Sequence, residues 1–275
     1  MTEAKLEIGD RLAYREASPA GTESGDPVLL VHGFPQSSLM WKPLMAALSE
    51  AGRWCIAPDL FCLGDSPDPG PATYERNVEA LDELHAELDL GRVALVVHDW
   101  GGFVGLTWAC LNPELVSALV VSDTGFFSDG RWHGPAQALR SEQGETLMAA
   151  LDRDGFAALL RAEGAPFTDA EVDAYWRPFA EGRAREATLE FYRSMDFEKL
   201  APHEPKLYGL GVPTLILWGA EDKFAPIGGA HRLRKRIAGA KLVAIEGAGH
   251  FVFEQERGAT TAAVAELLSN AATAP

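Results

Sequence analysis

The chain has 275 residues, 47% of them hydrophobic, enough to bury a full core in one large domain or two small ones. Its formal charge of −16, from 24 basic and 40 acidic residues, argues against nucleic acid or an anionic membrane as partner, because both require clustered positive charge. The polar start Met1-Thr2-Glu3-Ala4-Lys5, the lack of any bilayer-length apolar run, and three cysteines (Cys55, Cys62, Cys110) without metal-ligand spacing read as a cytoplasmic protein with free, buried thiols.

Residues 5–8 and 11–15 have strand patterns around Gly9-Asp10, a hairpin signal. A Gly/Ser/Pro-rich loop at 18–27 leads into Val28-Leu29-Leu30-Val31, an apolar run suited to a strand buried on both faces. It stops at His32-Gly33-Phe34-Pro35, where Pro35 forbids continuation. Residues 38–51 read as an amphipathic helix with Leu44, Ala47 and Leu48 on one face, and 54–57 as the next strand. After a Pro-rich loop, a helix at 74–88 places Val78, Leu81, Leu84 and Leu88 at helical spacing, and His85 on it reads as a surface residue.

Val93-Ala94-Leu95-Val96-Val97 is another buried-strand run. It breaks at His98-Asp99-Trp100-Gly101-Gly102 and becomes a helical pattern at 103–111. Strand, sharp turn and helix with one reactive side chain at the apex make a nucleophile elbow, here with Asp99 where Ser is more familiar. Asp also suits a plain helix cap, but a cap requires none of the partners that follow. A strand at 118–122 comes next, and the rhythm then breaks. Residues 126–210 show only helical patterns, at 146–162, 168–179 (opened by the capping box Thr168-Asp169-Ala170-Glu171) and 183–194. It resumes with a strand at 214–218, a helix at 229–237, a strand at 241–245 and a helix at 260–268. The expectation is an α/β fold: a mostly parallel central sheet flanked by helices, with an inserted helical cap. Residues 1–125 and 211–275 form the core domain, and 126–210 form a cap over the carboxyl ends of the strands, where open sheets hold ligands.

Three strand ends carry reactive groups: Asp99, the pair Glu221-Asp222, and His250 in the Gly-rich turn Gly247-Ala248-Gly249-His250. That order suits a nucleophile, an orienting acid and a base. The backbone N–H groups of Phe34 and Trp100 are placed to form an oxyanion hole. A carboxylate attacks amides poorly but displaces a leaving group from an sp³ carbon to give an enzyme ester. His250 then activates water against the carbonyl of that ester. Suitable substrates are epoxides or alkyl halides. No metal site and no phosphate-cradling loop is visible, so no cofactor is expected.

On His32-Gly33-Phe34-Pro35, His98-Asp99-Trp100-Gly101-Gly102, Asp222 and Gly249-His250, the chain resembles the α/β-hydrolase superfamily, and within it the epoxide hydrolases and haloalkane dehalogenases. The resemblance covers nearly the whole length and is weakest in the cap. It selects Asp222 over Glu221 as the acid. Val97 departs from the Gly that many members carry there. Two features resemble epoxide hydrolases: the His-Gly-Phe-Pro loop, and Glu190-Phe191-Tyr192-Arg193, which implies Tyr192 as the ring-opening acid. A second lid tyrosine is missing between 126 and 174, where Trp132 and His133 stand, and His133 is a candidate second donor.

Other features resemble haloalkane dehalogenases: Trp100 directly after the nucleophile, Trp132 as a second halide-binding indole, and the run from Gly101 to Thr107. Arginines that would hold a substrate carboxylate are absent after the nucleophile, which favours a neutral, mainly apolar small organic substrate with water as co-substrate. His32, Pro35, Trp132, His133 and Trp176 are candidate substrate contacts. The first expectation is an epoxide hydrolase yielding a diol. The alternative is a haloalkane dehalogenase using the same Asp99 ester with Trp100 and Trp132 on the halide, and a non-catalytic ligand receptor is a third. A homodimer is the assembly left open.

Overall fold

The structure, a computed structural model, describes residues 3–5, 11–19, 21–67 and 70–272. Its centre is one eight-stranded sheet: β1 (Glu3–Lys5), β2 (Tyr14–Ala17), β3 (Val28–Val31), β4 (Cys55–Pro58), β5 (Val93–His98), β6 (Val116–Ser122), β7 (Thr214–Gly219) and β8 (Lys241–Ile245). The spatial order is β1-β2-β4-β3-β5-β6-β7-β8. β1 and β2 pair antiparallel, β2 runs antiparallel to β4, and the remaining neighbours are parallel. The second strand starts later than the 11–15 expectation, and the Gly9-Asp10 turn lies outside the described residues.

The period of two along each central strand divides the core. Leu29, Val31, Leu95, Val97, Leu119, Val121, Ile216 and Trp218 face one apolar cluster. Their neighbours Val28, Leu30, Ala94, Val96, Val120, Leu215 and Leu217 face another. Such uninterrupted apolar runs are tolerated only where helices cover both sheet faces. On the first face lie α2 (Tyr74–Glu87) and α3 (Trp100–Leu111), and on the second lie α1 (Lys42–Glu50) and the last helix, Arg257–Ala272. α3 is buried nearly all round, as its apolar composition requires. Val97 needs space in that packing, and Gly105 supplies it: a Cβ on Gly105 would lie 2.6 Å from Val97 Cγ1. His85 departs from the surface reading. It is 7% exposed, its Nε2 is 2.7 Å from the Gly91 carbonyl, and its ring stands 5.0 Å from Trp108.

β3 connects outward to β4 on one side, whereas β5 lies on its other side. The strand order therefore reverses between β3 and β5, and their carboxyl ends open a crevice. Val31 pairs with Val97, so the loop after Val31 and the elbow after His98 meet there.

Between β6 and β7 the chain builds the inserted cap from α4 (Gly134–Arg140), α5 (Gly144–Ala150), α6 (Arg153–Leu160), α7 (Asp169–Ala180), α8 (Arg183–Ser194), a 3-10 turn at Phe197–Leu200 and α9 (Glu204–Tyr208). The capping box forms as read: Thr168 Oγ1 accepts from the Glu171 amide, and Glu171 accepts from the Thr168 amide. The helix expected at 146–162 is instead two, because Asp152 takes extended backbone and caps α6 through the Gly155 amide at 2.8 Å. Arg177, Arg183, Glu190 and Ser194 seat the cap by hydrogen bonds to residues 64–74 of the core. Among the described residues no helix is long and apolar enough to cross a membrane.

Candidate active site

Asp99 stands at the turn between β5 and α3 with φ 48° and ψ −119°, a conformation that costs a non-glycine residue free energy. Hydrogen bonds hold it there. Thr124 Oγ1 donates to the Asp99 carbonyl at 2.7 Å, and the Asp99 amide donates to the Ser122 carbonyl at 3.2 Å. The Phe34 amide donates to Oδ1 at 2.7 Å, and the neighbouring Trp100 amide favours the charged carboxylate. Oδ2 faces His250 Nε2 at 3.5 Å. Oδ1 is thus held by the Phe34 amide while Oδ2 is turned toward the imidazole.

His250 Nδ1 lies 2.8 Å from Asp222 Oδ2. The other Asp222 oxygen accepts from the Phe224 and Ala225 amides at 2.7 and 2.9 Å, which fixes the carboxylate plane. Glu221 is exposed and donates its amide to the Ala248 carbonyl. Burial alone would lower the affinity of His250 for a proton. The charges of Asp222 and Asp99 outweigh it and hold His250 well above the usual histidine range. Burial likewise opposes ionisation of Asp99, but the hydrogen bond and charge of His250 keep its carboxyl below the usual range. The resting site is therefore an ion pair, Asp99 with protonated His250.

Two buried groups enlarge the constellation. His98 is pushed down to about 3, first by burial and then by the His250 charge, so its ring is neutral. It lies 5.0 Å from His250, ring to ring, and neither nitrogen has a hydrogen-bond partner among the described residues. Asp123, at the end of β6, accepts from Ser122 Oγ at 2.5 Å and from the Gly219 amide at 3.0 Å. Burial and the Asp222 charge push its carboxyl well above the usual carboxylate range. Sequence reasoning missed Asp123. The available signal was its position, the first residue past a buried parallel strand.

The remaining expected contacts divide. His32 is fully buried with both nitrogens on backbone: Nδ1 on the Gly33 carbonyl at 2.8 Å and Nε2 accepting from the Leu60 amide at 2.9 Å. It braces the loop that presents Phe34 and lines neither cavity at Asp99, against the expectation of a substrate contact. Trp176 also departs from that expectation. It packs inside the cap on Phe156 and Phe179, with Arg185 over its ring.

Pro35, Tyr192 and His133 do line a cavity of about 400 Å³ at Asp99 and His250, otherwise walled by Leu139, Met148 and Leu159 among other apolar side chains. A second cavity of about 420 Å³ extends from Asp99 past Trp100 and Trp132 to Arg131 and Arg232. Asp99, His133 and Phe224 border both. His133 caps α4, its Nδ1 accepting from the Ala136 amide at 3.3 Å, which leaves Nε2 as the protonated nitrogen of a neutral ring.

Trp100 and Trp132 stack with centroids 5.6 Å apart and planes at 22°. Phe191, Tyr192 and Phe103 complete an aromatic wall around Trp100. Trp132 Nε1 is buried and has no hydrogen-bond partner among the described residues. Tyr192 is 4% exposed, and burial together with the Asp99 charge pushes its phenol up, partly offset by a hydrogen bond with Trp100.

The family model described as alpha/beta hydrolase fold matches residues 26–257. A haloalkane dehalogenase of Sphingobium indicum is 37% identical over 206 residues, covering 68% of this chain and 66% of that protein, just under two thirds of its length. A cis-3-alkyl-4-alkyloxetan-2-one decarboxylase of Shewanella oneidensis is 29% identical over 250 residues, 84% of this chain and 78% of the relative. The crystal structure of the haloalkane dehalogenase DbeA from Bradyrhizobium elkani superposes with a TM-score of 0.82 at 22% identity, covering 98% of each chain.

Proposed function

The chain belongs to the α/β-hydrolase family, in its haloalkane dehalogenase and epoxide hydrolase group, and from that premise we propose that this hydrolase is a haloalkane dehalogenase acting on neutral alkyl halides. Asp99 Oδ2 attacks the halogen-bearing carbon, the carbon–halogen bond breaks, and halide leaves as the Asp99 ester forms. Oδ1 stays under the Phe34 amide and becomes the carbonyl oxygen of that ester, with the Trp100 amide as the second donor of the oxyanion hole. Esterification removes the Asp99 charge, one of the two anions that keep His250 protonated. His250 then gives up its proton more readily and can take one from water. Water adds to Cγ of Asp99, the oxyanion develops on Oδ1 beneath the two amides, and collapse returns the carboxylate and releases an alcohol. The balance is alkyl halide plus water to alcohol, halide and a proton.

The observation that carries this reading is Trp132, which lines, with Trp100, a cavity that reaches Asp99 and whose buried Nε1 has no hydrogen-bond partner among the described residues. A buried donor without an acceptor costs about 1–3 kcal/mol, and a halide leaving from carbon is an acceptor that would satisfy it. The dehalogenase relative at 37% identity supports the same choice over the epoxide reading.

Tyr192 favours a second reading, epoxide hydrolysis. Its hydroxyl is buried within the field of Asp99, where an acid for a ring oxygen is needed. The deciding experiment offers haloalkanes, epoxides and a 3,4-dialkyl oxetan-2-one to the His250→Gln protein and measures intact mass. An alkyl ester on Asp99 with halide release supports dehalogenation. A hydroxyalkyl ester from epoxides alone would replace it with the second reading.

A further inference from the structure

Glu163 stands in the turn between α6 and α7 of the cap and reaches the loop that carries His250. Its Oε2 accepts from the His250 amide at 2.6 Å, and its Oε1 accepts from the Lys223 amide at 3.2 Å. Lys223 directly follows Asp222, so one cap carboxylate holds the main chain beside both members of the acid–base pair. Gln255 doubles the tie: its Nε2 donates to the Glu163 carbonyl at 2.7 Å, and its Oε1 accepts from the Gly249 amide at 2.9 Å. The approach depends on glycine at 249, because a Cβ there would lie 2.4 Å from Glu163 Oε2. The Gly-His pair, legible in the sequence as a turn, is thus also a seat for a carboxylate from another part of the chain.

We propose that Glu163 is a positioning residue for ester hydrolysis, setting the main chain of His250 and of the acid loop so that the imidazole addresses the Asp99 ester. The proposal rests on the reading of His250 as the base. The Nδ1 bond to Asp222 fixes one point of the ring, and the ring can still tilt about it. Charge-assisted bonds from Glu163 to the amides of 250 and 223 remove that freedom at the backbone. Because Glu163 belongs to the cap, the base is aligned only while the cap is seated, which ties activation of water to a closed cavity. Attack by Asp99 does not use His250 and should not depend on the clamp.

The test uses the full chain carrying Glu163→Ala and Glu163→Gln, with two readouts. The first is the NMR titration of the His250 ring in the free protein. The second is rapid-quench kinetics that separate ester formation from ester hydrolysis, with the ester followed by intact mass. In Glu163→Ala the His250 titration moves toward the ordinary histidine range, ester formation keeps its rate, and hydrolysis slows on the order of 10²-fold, the cost of misplacing a catalytic group by about 1 Å. Glu163→Gln, which keeps one acceptor oxygen, falls between Ala and wild type. Gln255→Ala, which loosens the same turn and leaves the Glu163 side chain in place, gives a smaller change in the same direction and stands in should Glu163→Ala fail to fold. An unchanged titration, or equal loss in both half-reactions, overturns the proposal. If no substrate leaves an ester on Asp99, the functional reading fails, and the His250 titration still decides the clamp.

Discussion

The Phe34 amide and Asp99 Oδ1 meet at 2.7 Å across the point where the sheet reverses its strand order. Residues 65 positions apart are joined because Val31 and Val97, a few residues before each, pair side by side in the sheet. In the proposed mechanism this donor already sits where negative charge would develop, so hydrolysis of an Asp99 ester needs no reorganisation of the hole. That preorganisation is the larger part of what such a site contributes.

Replacing His250 by Gln should separate the half-reactions. Gln can occupy the volume but cannot take a proton from water. One turnover of halide release is expected, followed by a stable mass increase on Asp99 and a steady-state rate reduced by at least about 10²-fold. Mass spectrometry of the Asp99 peptide checks it.

The pH dependence should divide in the same way. Asp99 is held ionised below the usual carboxylate range, so ester formation should persist into acid beyond the pH at which an ordinary aspartate fails. Hydrolysis should rise with pH as the ester-state His250 loses its proton. The ion pair also has a stability window. His250, raised when folded, contributes stability below the ordinary histidine value that is lost as pH climbs through its folded value. Asp99, lowered when folded, contributes above the ordinary aspartate value and loses it on acidification through its folded value. Asp99→Asn should therefore bring the His250 titration down while abolishing ester formation, and NMR and quench kinetics measure the two effects.

Trp132→Phe keeps the ring that stacks on Trp100 and deletes the free N–H. Halide affinity, read from quenching of the remaining indole fluorescence, should fall, and haloalkane turnover should drop roughly 10-fold or more, as expected for about 1.4 kcal/mol or more of lost leaving-group stabilisation. Thermal stability should hold or rise, because a buried unsatisfied donor is removed.

Tyr192→Phe distinguishes the two substrate classes. Under the dehalogenase reading haloalkane turnover changes little. A fall of about 10²-fold or more confined to epoxides would assign Tyr192 the ring-opening role.

Asp123→Asn should stabilise the fold, and more so at alkaline pH. Asp123 binds its proton more tightly folded than unfolded, so its contribution declines as pH rises from the ordinary aspartate value through the raised folded one. Asn keeps an acceptor for the Gly219 amide and carries no proton to lose. A melting temperature higher by a few degrees at pH 8 than in the parent, on the scale of roughly 2–4 °C per kcal/mol, with little difference near pH 4, is the expected calorimetric result.

The sheet was legible because its chemistry is local. Val28–Val31 and Lys241–Ile245 fall where the apolar runs and their breakers put them, and the elbow after Val97 declares itself by a charged residue between a buried strand and two glycines. Helix starts with a capping box, as at Thr168, were equally plain. The helix expected at 146–162 was not, since an Asp that breaks it and an Asp that continues it look alike in a polar face. His85 misled for a related reason: a helical pattern assigns a face but not whether a loop carbonyl comes round to cover it.

The sequence by itself determined which groups stand at strand ends, and so the order Asp99, Asp222, His250 and the choice of carboxylate chemistry. It could not determine which side chains from elsewhere surround them. That Asp123 lies within the field of Asp222, that Glu163 grips the amide of His250, that Trp132 rather than Trp176 lines a cavity at Asp99, and that His32 braces a loop all depend on how distant segments pack together. Strand ends are specified by nearest neighbours along the chain, whereas the walls of the cavity are set by contacts between residues far apart in it, which no local pattern encodes.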